Sequence, residues 1–238
     1  MSVYSMYFSP TGGVKKVMDI LTEGLSIGRQ IDLSAADVDY SAYSFRSEDV
    51  CLIGVPSFGG RVPFIGLERL RQTRAKGAMA VVVVVFGNRA YDDTLLELKN
   101  EAIACGYMVG AAVAAVAEHS IMRQYGEGRP DAQDEAELRQ FSKEIAELIT
   151  NRKSVKDFAV PGSSQYREYG GVPFKPNADK SCTKCGLCAE KCPVQAIPHD
   201  NPASLDKEKC ISCLRCITIC HRTPENLTRR FCLPLHRR

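Results

Sequence analysis

Of 238 residues none is tryptophan and only four are histidine. His119, His199, His221 and His236 are scattered, and neither a Ser/His/Asp grouping nor a paired-carboxylate constellation accompanies them. Long apolar runs are also missing. The longest, Met79–Phe86 and Met108–Ala117, fall far short of the roughly 20 residues that span a bilayer, so no membrane span is expected. The start, MSVYSMYFSP, has neither the basic leader nor the apolar core of an export signal, which sets the expectation of a cytoplasmic protein. Charge of one sign is scarce too. A formal net charge of +3 is too mild to imply nucleic acid or an anionic membrane as partner. The nucleotide fingerprints GxGxxG and GK[ST] are both absent.

What is present in excess is cysteine, 11 in all. Without an export signal these read as thiolates for metal or redox chemistry rather than as disulfides. Cys51 and Cys105 stand alone in strand and helix patterns, where they read as small buried apolar residues, and the other nine crowd into 182–232. Charge divides with them: residues 181–238 carry ten Lys/Arg and five Asp/Glu, net +5, leaving −2 before them. Between lies a Pro-, Gly- and Ser-rich stretch, whose Phe158, Tyr166, Tyr169 and Phe174 suggest that it packs on a surface. The expected organisation is a first unit over 1–152, a linker over 153–180 and a second unit over 181–238.

The first unit alternates strand and helix patterns. Apolar runs at Val3–Phe8, Arg29–Leu33 (weak), Val50–Val55, Met79–Phe86 and Met108–Val116 alternate with helical spacing over Val14–Leu25, Pro63–Arg74, Tyr91–Cys105 and Asp131–Thr150. Five consecutive valines fit a central parallel strand buried on both faces. Such alternation implies a doubly wound α/β sheet, with its ligand beyond the carboxyl ends of the strands.

Three loops therefore bear the chemistry. Ser9-Pro10-Thr11-Gly12-Gly13 opens a helix whose free amides attract a phosphate, although such a loop also serves simply to turn a chain. Pro56-Ser57-Phe58-Gly59-Gly60 sets an aromatic among flexible residues, and Gly87-Asn88-Arg89-Ala90-Tyr91-Asp92 adds polar donors and a second aromatic. Singly, Phe58 or Tyr91 reads as packing, and Asp92 and Asp93 as helix-start acids. Together, phosphate and ring contacts at one end point to FMN.

YFSPTGG, GVPSFGGRVP and FGNRAYDD resemble the three FMN loops of flavodoxins. The resemblance implies a flavodoxin-like strand order 2-1-3-4-5. It implies phosphate contacts from Ser9, Thr11, Gly12 and Gly13, and ring contacts from Ser57, Phe58, Gly59 and Gly60 beside Pro56. Asn88, Arg89, Tyr91 and Asp92, after Gly87, would take the other side. Val14 stands where flavodoxins usually have another hydroxyl, removing one phosphate contact; Arg61 and Arg89 would make the surroundings less negative.

Cys182-x2-Cys185-x2-Cys188-x3-Cys192-Pro193 and Cys210-x2-Cys213-x2-Cys216-x3-Cys220 repeat one spacing 28 residues apart. This resembles the bacterial two-cluster ferredoxin, a small α+β domain holding two 4Fe–4S clusters. The resemblance implies Cys182, Cys185, Cys188 and Cys220 for one cluster, and Cys210, Cys213, Cys216 and Cys192 for the other. Zinc is the competing occupant, though its sites favour separated CxxC pairs. His221 replaces the first motif's proline, either as a helix-end residue or as a donor to a cluster sulfur. Cys232 reads as a spare thiol.

The expected function is electron transfer between two 4Fe–4S clusters and FMN, linking a ferredoxin-type donor to an acceptor oxidoreductase. Alternatives are a flavin-dependent reductase of a small substrate and a redox sensor. His119-Ser120-Ile121-Met122 and Tyr166–Phe174 would either cap the ring or frame a substrate pocket. A homodimer stays open, because flavin and cluster can face each other within a chain or between two.

Overall fold

A computed structural model describes residues 1–151 and 157–222. Cys232, His236 and the terminal arginine pairs lie outside these residues. Five strands, β1 (Val3–Tyr7), β2 (Ile27–Asp32), β3 (Val50–Pro56), β4 (Met79–Phe86) and β5 (Met108–Val116), form one sheet. Its order is β2-β1-β3-β4-β5 and every pairing is parallel. That is the expected flavodoxin-like arrangement. Helices α1 (Gly13–Leu21), α2 (Phe64–Gln72), α3 (Thr94–Ala104) and α4 (Ala132–Thr150) connect or follow the strands.

The valine run shows why β4 is central. Val81, Val83 and Val85 enter one core with Val14, Val17 and Met18 of α1 and Leu138, Ile145 and Ile149 of α4. Val82 and Val84 point the other way, into a core with Leu67, Leu70, Leu95 and Leu98 of α2 and α3. Side chains alternate across a strand, so a run apolar at every position suits a sheet covered on both faces. Each buried valine contributes about 1.5–3 kcal/mol relative to exposure.

Helix ends depart from the periodicity for local reasons. α1 stops at Leu21 rather than Leu25, because the Thr22 hydroxyl donates back to the Met18 carbonyl at 2.8 Å and the chain turns. α3 begins at Thr94 rather than Tyr91, because Asp92 sits at φ 43° and the Thr94 hydroxyl donates to the Tyr91 carbonyl at 2.6 Å. α4 is opened by a capping box. The Asp131 carboxylate accepts from Gln133 N and Asp134 N, and Asp134 accepts from Asp131 N.

After α4 the described chain crosses α3. Phe158 and Val160 pack on the α2/α3 core. The Lys99 ammonium donates to Asp157 Oδ1 at 2.7 Å and to the Phe158 carbonyl. Tyr166 lies under the Arg61 guanidinium at 4.9 Å and accepts from Asn100 at 2.8 Å. The cysteine-rich part contains two four-residue helices, α5 (Leu187–Glu190) and α6 (Arg215–Thr218), among otherwise irregular chain. It docks at the carboxyl end of the sheet. Buried Arg69 donates to the Leu33 carbonyl at 2.6 Å and the Pro193 carbonyl at 2.5 Å, and Arg215 approaches Asp32 at 3.6 Å.

Candidate functional site

A cleft of about 740 Å³, counted to its open mouth, lies beyond the strand carboxyl ends. Ser9, Thr11, Gly13 and Val14 form one part of the wall and Pro56, Ser57, Phe58, Gly59 and Gly87 another. Gly12, Gly60, Asn88, Arg89, Tyr91 and Asp92 are not part of that lining. Gly12 serves the first loop from behind, as the N-cap of α1 at φ 91°. Ser9 is held rigidly, its amide donating to Ser34 Oγ at 2.7 Å and its hydroxyl accepting from Lys15 N at 2.9 Å. The Gly13 and Val14 amides at the start of α1 enter none of the described hydrogen bonds and can meet an anion.

The second loop is a tight turn. Phe58 N donates to the Arg61 carbonyl at 2.9 Å and Arg61 N returns to Phe58 at 3.2 Å. Between them Gly59 and Gly60 take φ 59° and 85°, a combination that suits glycine. A Cβ on Gly59 would also strike the Tyr169 ring. Buried Glu97 fixes the turn: it accepts from Arg61 Nε at 2.9 Å, Arg61 Nη2 at 2.5 Å and Val62 N at 2.8 Å. Arg61 therefore faces Glu97 instead of presenting a free charge to the cleft.

The third loop is diverted. Tyr91 packs edge-on against Phe86, with ring centroids 5.1 Å apart, and Asp92 pairs with Arg167 at 2.6 Å. Asp93 accepts from Ser163 N at 2.7 Å and Arg167 N at 2.8 Å, and these bonds hold its carboxyl below the usual carboxylate range. The opposite wall comes from elsewhere: Glu118, His119, Ser120 and Ile121 after β5, Tyr169 and Val172, and Ile211, Ser212 and Cys213. The short motifs around Cys213 carry no sign that this loop reaches the cleft, because the loops it joins there lie about 150 and about 200 residues away in the chain.

The two cysteine motifs share one backbone form. Lys184 and Ser212 occupy matching positions at φ 56° and 55°, as do Gly186 and Leu214 at 81° and 61°. A leucine in the left-handed region is strained, so the loop shape is imposed by its surroundings rather than by local preference. Cys182, Cys185, Cys188 and Cys220 line one cavity with Lys184, His221 and Arg222. Cys220 thus reaches across from the second motif to the first. Cys192, Cys210 and Cys213 lie near enough to Cys216 to disfavour its ionisation, and so does Cys188 of the first set, so the two sets adjoin at Cys216. Burial, the largest cause, pushes the Cys213 thiol up to about 11 and Cys216 up to about 12. Both need a cation to become thiolates at neutral pH. Among the described residues no three His, Cys, Asp or Glu converge closely enough to share a single metal ion. The buried Arg215 Nε, between Cys213 and Cys216 in the chain, has no hydrogen-bond partner among the described residues.

The two thiol groups are arranged in series. Cys213 touches the cleft, Cys216 borders a second cavity with Cys182, Cys188 and Cys220, and Cys185 and Cys220 are exposed. Cys51 is fully buried and Cys105 half-buried, both away from these groups, and burial pushes both thiols up.

Residues 175–221 match the 4Fe-4S dicluster domain family. The trichloroethene reductive dehalogenase of Dehalococcoides mccartyi is 35% identical over 63 residues, a match covering 20% of this chain and 11% of that protein. Similar solved structures include a flavodoxin from the domain Archaea (13% identity, 63% of this chain, 99% of that one, TM-score 0.43). A Streptococcus pneumonia TIGR4 flavodoxin (17%, 62%, 99%, 0.45) and the rubredoxin oxygen:oxidoreductase of Desulfovibrio gigas (14%, 63%, 36%, 0.45) are also similar. The strand order and parallel pairing carry the fold assignment: a flavodoxin-like α/β unit precedes an iron–sulfur segment of dicluster type. No helix among the described residues is long and apolar enough to cross a membrane.

Proposed function

We propose that the chain transfers electrons between two 4Fe–4S clusters and an FMN, carrying them between a redox protein and an acceptor oxidoreductase. The observation that carries this reading is the shared wall: Ile211, Ser212 and Cys213 line the same cleft as Ser9–Thr11, Gly13, Val14 and Pro56–Gly59. When bound, the clusters supply one-electron chemistry and the flavin couples it to two-electron chemistry.

Each set of residues fits its group. The α1 amides and the Thr11 hydroxyl suit a phosphate, and Phe58 and Tyr169 suit a flat ring. The cavity of Cys182, Cys185, Cys188 and Cys220 suits one cluster. The unpartnered Arg215 Nε–H, with Cys192, Cys210, Cys213 and Cys216, suits the anionic sulfur of the other. In this reading residues 1–152 are the flavin unit, 181–238 the cluster unit, and the segment between them closes the cleft. The second cluster is the one beside the flavin, and the first, with exposed Cys185 and Cys220, meets the external partner. The series arrangement favours transfer within one chain over transfer between two.

Anaerobic reconstitution with iron, sulfide and FMN tests the assignment. About eight iron, eight labile sulfide and one FMN per chain are expected. Zinc without sulfide, or no retained flavin, would overturn it.

A further inference from the structure

We propose that His119 donates a hydrogen bond from Nε2–H to the redox-active ring of the bound flavin. The inference rests on the FMN reading above, but it concerns a residue outside the three flavin loops. His119 lies three residues past the end of β5 and lines the cleft. Its orientation is imposed by its own turn. Nδ1 accepts from Ile121 N and Met122 N, each at 3.1 Å, and the backbone amide donates to the Tyr125 carbonyl at 3.0 Å. With Nδ1 occupied as an acceptor, the neutral imidazole must carry its proton on Nε2. Burial, the largest cause, lowers the pKa of His119 against a backbone hydrogen bond that raises it, which favours the neutral ring. None of the described hydrogen bonds uses Nε2.

The neighbouring loop makes room for this ring. A Cβ on Gly87 would lie 2.5 Å from His119 Cδ2 and 2.6 Å from its Cβ, so the glycine lets the imidazole close on the loop. Two other polar side chains of the wall are already engaged. Glu118 binds Arg123 and accepts from Gly128 N at 3.1 Å, and Ser57 bonds Thr94 Oγ1 at 2.8 Å. A neutral donor aimed at the ring has a specific consequence. Reduction loads negative charge onto the ring's carbonyl and nitrogen acceptors, so a fixed N–H binds the reduced form more tightly than the oxidised form.

The test compares the full-length wild-type chain with His119→Phe, which keeps a ring but no donor, and His119→Gln, which can accept from the turn amides and still donate. FMN affinity is measured by flavin fluorescence for the oxidised form and from the midpoint potential for the reduced form. His119→Phe should weaken reduced FMN about tenfold more than oxidised FMN, a shift of about −30 mV for a two-electron couple. His119→Gln should restore most of it. His119→Met replaces the phenylalanine variant if that chain does not fold. Loss of the turn bonds alone would weaken both redox forms equally, so equal weakening, or an unchanged potential, overturns the proposal. A wild-type chain that binds no FMN overturns the flavin reading itself.

Discussion

Replacing Glu97 with alanine should loosen the turn that presents Phe58, Gly59 and Gly60 to the cleft. Glu97 is 3% exposed and accepts three hydrogen bonds, two from Arg61 and one from Val62 N. Its loss strands the buried Val62 N–H, at about 1–3 kcal/mol. It also leaves the Arg61 guanidinium, whose side chain is 26% exposed, with only the Arg167 carbonyl and the Tyr166 ring as partners. Water can reach that group in part, so the two charge-assisted bonds contribute about 1–2 kcal/mol rather than their full buried value. The expected loss is about 3 kcal/mol, at the lower end of the range for breaking a buried ion pair. For a chain of this size that lowers the melting midpoint by about 10 °C. Glu97→Gln keeps an acceptor for Val62 N and should lose about 1 kcal/mol. Thermal melts followed by far-UV circular dichroism, with both variants in the same cofactor state, provide the comparison. A Glu97→Ala chain within about 0.5 kcal/mol of wild type, or a glutamine variant as impaired as the alanine one, would refute this account of the turn.

Two further perturbations follow from the same geometry. The Asp93 carboxyl is held below its ordinary value of 3.8 by bonds from Ser163 N and Arg167 N, so its contribution is present in full above that value and is lost as pH falls below it. Protection against hydrogen exchange at Ser163 and Arg167 should be constant above pH 3.8 and fall as acidification below it protonates Asp93; protection that survives replacement of Asp93 by alanine at neutral pH would contradict the pairing. Anaerobic removal of iron should weaken FMN binding about tenfold, or about 1.4 kcal/mol. Ser212 belongs to the cluster loop and itself lines the cleft, and equal affinity with and without iron would show that the shared wall is not coupled to the clusters.

The strands were legible because burial on two faces leaves a continuous β-branched signature, as in Val81–Val85. The cysteine loops were legible because their spacing repeats. The cleft was legible only in part. Ser9, Ser57 and Phe58 lie in loops that topology sends to the sheet's carboxyl end, whereas the wall from Cys213 arises from a contact between distant parts of the chain. Arg61, Tyr91 and Asp92 carry side chains suited to a ligand, yet Glu97, Phe86 and Arg167 engage them first. Such competition depends on which side chains meet in three dimensions. His119 was visible as a residue near the ring, but its fixed tautomer depends on the turn through Met122.

The central claim is that electrons cross between cluster and flavin inside a single chain. Rapid anaerobic reduction of the clusters in the reconstituted protein, with FMN absorbance followed over a hundredfold range of protein concentration, addresses it most directly. The account predicts FMN reduction at a first-order rate that does not change with concentration. A rate proportional to concentration, or clusters that reduce while FMN stays oxidised, would contradict it.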